Sequence, residues 1–332
     1  MTTTMLLNAA AVAAGPRDNL ALFDGVGGAL AKMALPLVAY VAAVPVFWLL
    51  FRRTWRQIDD EALAYRQSLR ERDAHDFRPP LVLAIVAVVL TMQEYYGGYE
   101  FYHAYVRPWL ARTAAAAWTS GDPDGIVHAS RIDLRFYGEL YQYAWWAGTR
   151  IAGYTVVPVA LYKLVYRRDP LADVMALRTR ELGQHVRIYG LLLIIIIPTV
   201  FVVAQSPDFA NYYPFYKRCS RSWFDFLVWE ALYLGQFFAL EVFFRGFMLV
   251  PLKRTLGTAA VFAMCVPYVM IHFGKPYLEA SSAFLAGVAL GTLAMKTRSI
   301  YGGFLIHATV ALLMDGLALH YGDGFPVRFW PR

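Results

Sequence analysis

Long apolar runs alternate with short, mostly basic connections along this chain. The runs are Met33–Phe51, Pro80–Tyr96, Tyr143–Val165, Tyr189–Ala204, Phe226–Met248, Thr258–Met270, Ser282–Met295 and Ile300–Leu319. A helix needs about 20 largely apolar residues to cross the hydrocarbon core of a bilayer. The pattern therefore predicts an all-α, polytopic membrane bundle of about eight transmembrane helices. The sixth and seventh runs are short, and short apolar segments can instead be re-entrant or buried among other helices.

The connections set the expected orientation. Those between Arg52 and Arg78, between Lys163 and Arg187, at Lys253-Arg254 and at Lys296 to Arg298 hold 17 Lys and Arg in total, against 12 in the remaining connections and the two terminal segments. The excess places the first set on the cytoplasmic side and both terminal segments outside. Arg52–Arg78 mixes signs (Arg52, Arg53 and Arg56 against Asp59, Asp60 and Glu61) and reads as a solvated helix on the membrane surface. Gly121-Asp122-Pro123-Asp124-Gly125 is a turn signal. With no repeat and no low-complexity linker, one integrated membrane domain is expected. Residues 1–185 form its N-terminal helices and surface loops, and 186–332 its motif-rich core.

Composition sharpens the class. Of 332 residues, 58% are hydrophobic and 17% charged, where a soluble domain has about 45–50% and 25%. The 22 Tyr and 9 Trp suit side chains settled at two membrane–water interfaces. A net charge of +7 could suit nucleic acid, but the basic residues sit just outside apolar runs, so no nucleic-acid partner is expected. Cys219 and Cys265 have neither disulfide-framework nor zinc spacing. No basic stretch precedes the first apolar residues, so a cleaved signal peptide is not expected.

Charge inside a bilayer is costly, about 2.5–3.5 kcal/mol for Arg or Asp at a helix centre on insertion scales, so intramembrane ionisable residues are functional candidates. Glu94, Glu100, Arg150, Glu230, Glu241, Arg245, His272, His307 and Asp315 make up this set. Within Leu240-Glu241-Val242-Phe243-Phe244-Arg245-Gly246-Phe247, Glu241 and Arg245 are four apart, on one helix face, and can pair. The pair either neutralises its own burial or presents a carboxylate to a site. Tyr268-Val269-Met270-Ile271-His272-Phe273-Gly274-Lys275-Pro276 ends an apolar run with a histidine and a turn. Gly302-Gly303-Phe304-Leu305-Ile306-His307-Ala308-Thr309 puts a second histidine deep in the last run. Taken singly, each histidine reads as a packed or hydrogen-bonded residue. Three helices each delivering a polar group inward read as a bundle site.

These three segments, in this order, resemble the CPBP (Abi) family of intramembrane glutamic endopeptidases, which includes the type II CAAX prenyl endopeptidases. The likeness covers about residues 223–319. The family's motifs are Glu-Glu-x-x-x-Arg, Phe-x-x-x-His and His-x-x-x-Asn or Asp. By resemblance, Glu241 matches the second glutamate, Arg245 the arginine, His272 the histidine of the second motif and His307 that of the third. Leu240 stands in place of the first glutamate, Ala311 in place of the final Asn or Asp, and Tyr268 in place of Phe.

The resemblance implies an endopeptidase that hydrolyses a peptide bond in a membrane-associated protein or peptide. Glu241 with His272 would activate water, Arg245 would orient Glu241, and His307 would help bind the oxyanion. No metal and no cofactor are implied, and no His-Glu-x-x-His zinc motif occurs. The expected partners are the lipid bilayer and the membrane-associated substrate. The 25 Arg against 6 Lys, with abundant Ala, fit a GC-rich bacterium and so a bacterial cytoplasmic membrane. Because of Leu240 and Ala311, a catalytically silent membrane scaffold of the same family stands as the alternative. Residues 240 and 241 point about 100° apart on a helix, so one glutamate cannot simply take the other's direction.

Overall fold

The computed structural model describes residues 25–119, 133–179, 182–205, 207–275 and 277–331. The Gly121–Gly125 turn signal lies outside them. The described residues are helical, with one isolated antiparallel bridge, Leu177 to Ser299, and no strand. The α-helices of eight residues or more are α1 Gly25–Glu71, α2 Arg78–Tyr96, α3 Arg107–Thr119, α4 Leu134–Ile151, α5 Val157–Val165, α6 Leu182–Val203, α7 Trp223–Glu241, α8 Leu249–Leu256, α9 Ala259–Met270, α10 Tyr277–Thr297 and α11 Tyr301–Tyr321. Wider π-helical turns join α4 to α5 (Ala152–Val156) and α7 to α8 (Val242–Met248).

Six helical stretches are long and apolar enough to span a bilayer, including α7 continued through to Leu256. The chain is a multi-pass integral membrane protein. Two of the eight expected runs are not among the six. Ala259–Met270 has only 12 residues, and α4 carries Arg135, Glu139 and Arg150 among its apolar positions. The sign-mixed Arg52–Arg78 stretch is not a separate surface helix. Most of it continues α1, a 47-residue rod about 70 Å long by helical rise. Nothing between Val46 and Glu71 breaks that helix, and Ile58 and Ala62 on its polar half are buried.

The structure has two compact units. The first takes the described parts of residues 1–85, 161–191 and 241–304. In it α1 and α10 run side by side in the same direction. Tyr40 donates to the Ser281 carbonyl (2.6 Å), and fifteen residues on, Trp55 donates to the Thr292 hydroxyl (3.1 Å). Arg78, at the start of α2, grips Asp169 with two hydrogen bonds (3.0 and 3.1 Å), and that guanidinium holds the Asp169 carboxyl below its ordinary pKa. After α5 the chain has therefore returned to the end from which α2 starts. Gly246 lets the 171–177 segment pack close, since a Cβ there would lie 2.3 Å from the Met175 carbonyl oxygen.

The second unit takes residues 86–160, 192–240 and 305–332, as described. Its core is aromatic. Trp229 stacks on Tyr233 (4.8 Å between centroids) and meets Tyr143 edge-on (4.9 Å). Ser222 caps α7 by accepting from the Asp225 amide. Two further amides there, of Trp223 and Phe224, donate to the carbonyls of Arg328 and Phe329.

The Arg78–Asp169 contact makes topology testable. Glu71→Cys, Arg168→Cys and Lys296→Cys should all react with a membrane-impermeant thiol reagent from one side, and Tyr321→Cys from the other. Both native thiols, Cys219 and Cys265, are buried. Labelling of Arg168→Cys from the side opposite Glu71→Cys would exclude this arrangement.

Candidate active site

Glu241 closes α7, and Arg245 lies in the π turn that follows. Such turns occur often at functional sites. Glu241 Oε1 and Arg245 Nη1 are 3.2 Å apart, and both side chains are fully buried. Phe243, Phe244 and Phe247 around them are buried as well. In such surroundings neither charge has water to solvate it, so each depends on the other and on nearby polar or aromatic groups.

Tyr268, on α9, supplies one such group. The Arg245 guanidinium sits 4.0 Å over its ring, a cation–π contact strengthened by desolvation. The Tyr268 ring also meets the His272 ring edge-on at 4.8 Å. His272 Nδ1 lies 2.7 Å from the Tyr268 carbonyl oxygen. A carbonyl only accepts, so Nδ1 carries the proton, and in the neutral ring Nε2 keeps the lone pair that a general base needs. The first motif thus reaches the second through one aromatic ring.

Gly303, on α11, completes this cluster. A Cβ there would come within 2.3 Å of Glu241 Oε2, so the carboxylate occupies space that only glycine leaves. Glu241, Arg245, Tyr268, His272 and Gly303 all belong to the first unit.

His307 belongs to the second unit, where its ring lies 5.2 Å from that of Phe237. Leu240 is buried and apolar. Ala311 packs in the aromatic core with Trp229 and Tyr233. Neither position brings a polar side chain to a site. Asp315, one turn beyond Ala311, is fully buried and accepts a 2.6 Å hydrogen bond from Trp229 Nε1. Glu230 adjoins Asp315 in the same unit. Glu279 is paired with Lys275 at 2.6 Å. Arg150 lies 4.6 Å over the face of Trp146. Among the described residues, no three His, Cys, Asp or Glu side chains gather as a metal-ligand set.

Two members of the cluster were not candidates on sequence grounds. In the sequence Tyr268 stands only as a replacement for Phe, although a tyrosine four residues before a histidine is a usable signal. The Gly302-Gly303 pair precedes His307 in the third segment, and adjacent glycines early in an apolar helix mark a close approach.

Residues 221–313 match the model of the Rce1-like family, described as type II CAAX prenyl endopeptidase Rce1-like, which is consistent with a CPBP relationship. No curated protein and no solved structure matches the chain.

Proposed function

We propose that this protein is an intramembrane endopeptidase that hydrolyses a peptide bond in a membrane-associated protein or peptide. The observation that carries the reading is the buried Glu241–Arg245 pair, joined to His272 through Tyr268. Both segments fall inside the region that matches the endopeptidase family.

In this reading Glu241 and His272 take a proton from water as its oxygen attacks the scissile carbonyl carbon. Arg245 keeps the Glu241 carboxylate aimed. The oxyanion forms as the carbonyl π bond opens. Collapse of the tetrahedral species breaks the C–N bond, and the abstracted proton goes to the leaving amine. The products are one new carboxylate and one new amine. General acid–base transfer of this kind contributes about 10²–10⁴-fold, and a hydrogen-bond donor to the oxyanion adds to it.

The test uses the full chain reconstituted in lipid vesicles with membrane-tethered reporter peptides, run in ¹⁸O-labelled water. Cleavage should place one solvent oxygen in the new C-terminus and should continue in the presence of a strong chelator. If no tethered peptide is cut by preparations that remain folded, the silent-scaffold reading takes its place.

A further inference from the structure

Away from the Glu241 cluster, the first unit carries a cavity of about 340 Å³ whose polar lining includes Glu61, Asp173, Arg178, Lys253, Arg254 and Arg298. Four cations face two acids there. Lys253 is paired with Glu61 (2.9 Å) and Arg178 with Asp173 (2.6 Å). Among the described residues, Arg254 and Arg298 form no direct ion pair. Part of this is ordinary helix chemistry, because Lys253 and Arg254 sit in the last turn of α8, where cations suit the dipole.

The backbone departs from that ordinary account. The Leu177–Ser299 bridge is antiparallel, so its register sets Arg178 opposite Arg298. Like charges directly opposite each other are unfavourable. Arg298 also adopts a left-handed backbone, with φ of 52°, a conformation rare outside glycine, asparagine and aspartate. Strain of this kind gathers at ligand-holding sites. The fold sets two arginines opposite each other across this bridge, with Arg254 lining the same cavity, an arrangement that a phosphate would relieve.

A second cavity shows what such a phosphate would be attached to. An apolar groove of about 320 Å³ is lined by residues including Val44, Trp48 and Trp55 of α1 and Phe284 and Val288 of α10, with no polar surface. The two cavities share helix faces. Trp48 and Trp55 line the groove and Ala62 the basic cavity, at seven-residue steps along α1. Val288 and Met295 stand in the same relation on α10. Seven residues bring a helix back to nearly the same face, about 10 Å further along. The apolar groove therefore leads along both helices to the basic cavity.

We propose that the first unit binds one anionic phospholipid. Its phosphate lies among Arg178, Arg254 and Arg298, and an acyl chain lies along the α1–α10 groove. The site sits among the internal connections that carry the basic excess, and anionic headgroups are attracted to juxtamembrane Lys and Arg. The proposal does not depend on the peptidase reading.

The experiment titrates purified full-length protein in neutral detergent with dioleoylphosphatidylglycerol, dioleoylphosphatidylcholine or inorganic phosphate. Retained lipid is read by native mass spectrometry and the unfolding midpoint by intrinsic tryptophan fluorescence. Phosphatidylglycerol alone should bind with one-to-one stoichiometry and raise the midpoint. Arg254→Gln and Arg298→Asn should each weaken it about fivefold, as expected for one interfacial arginine. Asparagine is chosen at 298 because it tolerates the left-handed backbone. Val44→Trp, at an exposed groove position, should weaken the lipid while leaving both arginines in place. Equal retention of the two lipids, or wild-type affinity in both arginine variants, would overturn the proposal. A midpoint raised equally by inorganic phosphate and unaffected by Val44→Trp would overturn the lipid in favour of a soluble phosphate.

Discussion

Glu241→Gln is expected to lower cleavage of a tethered substrate by about 10²–10⁴-fold, the usual contribution of a positioned general base. Protein abundance should fall less than it does on removal of Arg245. The substitution keeps the shape of the side chain and an accepting oxygen for Arg245, so the guanidinium still has one polar neighbour and the face of Tyr268 at 4.0 Å. What is lost is the carboxylate that takes the proton. His272→Ala should give a similar loss, because it removes the other candidate base and its contact with the Tyr268 ring. Rates and membrane abundance are measured on the same preparations. Full activity in both variants would remove these residues from the chemistry, and with them the mechanism built on Glu241.

The helical class was legible because lipid leaves the backbone few choices, and runs of Leu, Ile, Val and Ala declare themselves by length alone. Continuity was harder to read. Hydropathy falls sharply after Phe51, which suggests a boundary, yet a helix stops only where its backbone is broken. No Gly or Pro intervenes, so α1 runs on to Glu71. At Arg245 the expected run Phe226–Met248 already passes over the charge, and the chain goes through a π turn there and on into α8. The run Tyr143–Val165 was expected to cross, and the Arg78–Asp169 contact shows where the chain arrives after it. That contact joins residues 91 apart in sequence, a relation that no local pattern encodes.

The site was legible where its spacing is local. Glu241 and Arg245 are one turn apart and do pair. His272 could be placed at a helix end, and it stands just past the end of α9. Its connection to Arg245 through Tyr268 depends on how α9 meets the π turn, which spacing cannot give. Gly303 is similar, because its meaning lies in the carboxylate it faces rather than in its neighbours along the chain. The departures at Leu240 and Ala311 were plain in sequence. The structure adds that both are buried apolar positions and that Asp315 is engaged by Trp229.

Arg245→Ala is expected to act in the opposite sense to Glu241→Gln, lowering abundance before activity can be measured. Removing one partner of a fully buried ion pair leaves the other charged and unsolvated, a loss of about 3–5 kcal/mol in comparable pairs. The truncation also removes the guanidinium stacked on Tyr268 and empties a volume enclosed by Phe243, Phe244 and Phe247. Arg245→Lys keeps a charge but not the planar group that lies over the ring, so it should fall between alanine and wild type. The informative variant is the double one, Glu241→Gln with Arg245→Met. It removes both charges at nearly constant volume, and buried pairs replaced in this way are often neutral or stabilising. Abundance should therefore recover toward wild type while cleavage stays lost. That outcome would assign the pair to chemistry rather than to folding. If abundance does not recover, the pair is a structural strut whose geometry the bundle requires. If cleavage recovers along with abundance, Glu241 is not the base. Quantitative immunoblotting of membrane fractions, alongside the tethered-peptide assay, separates the three results.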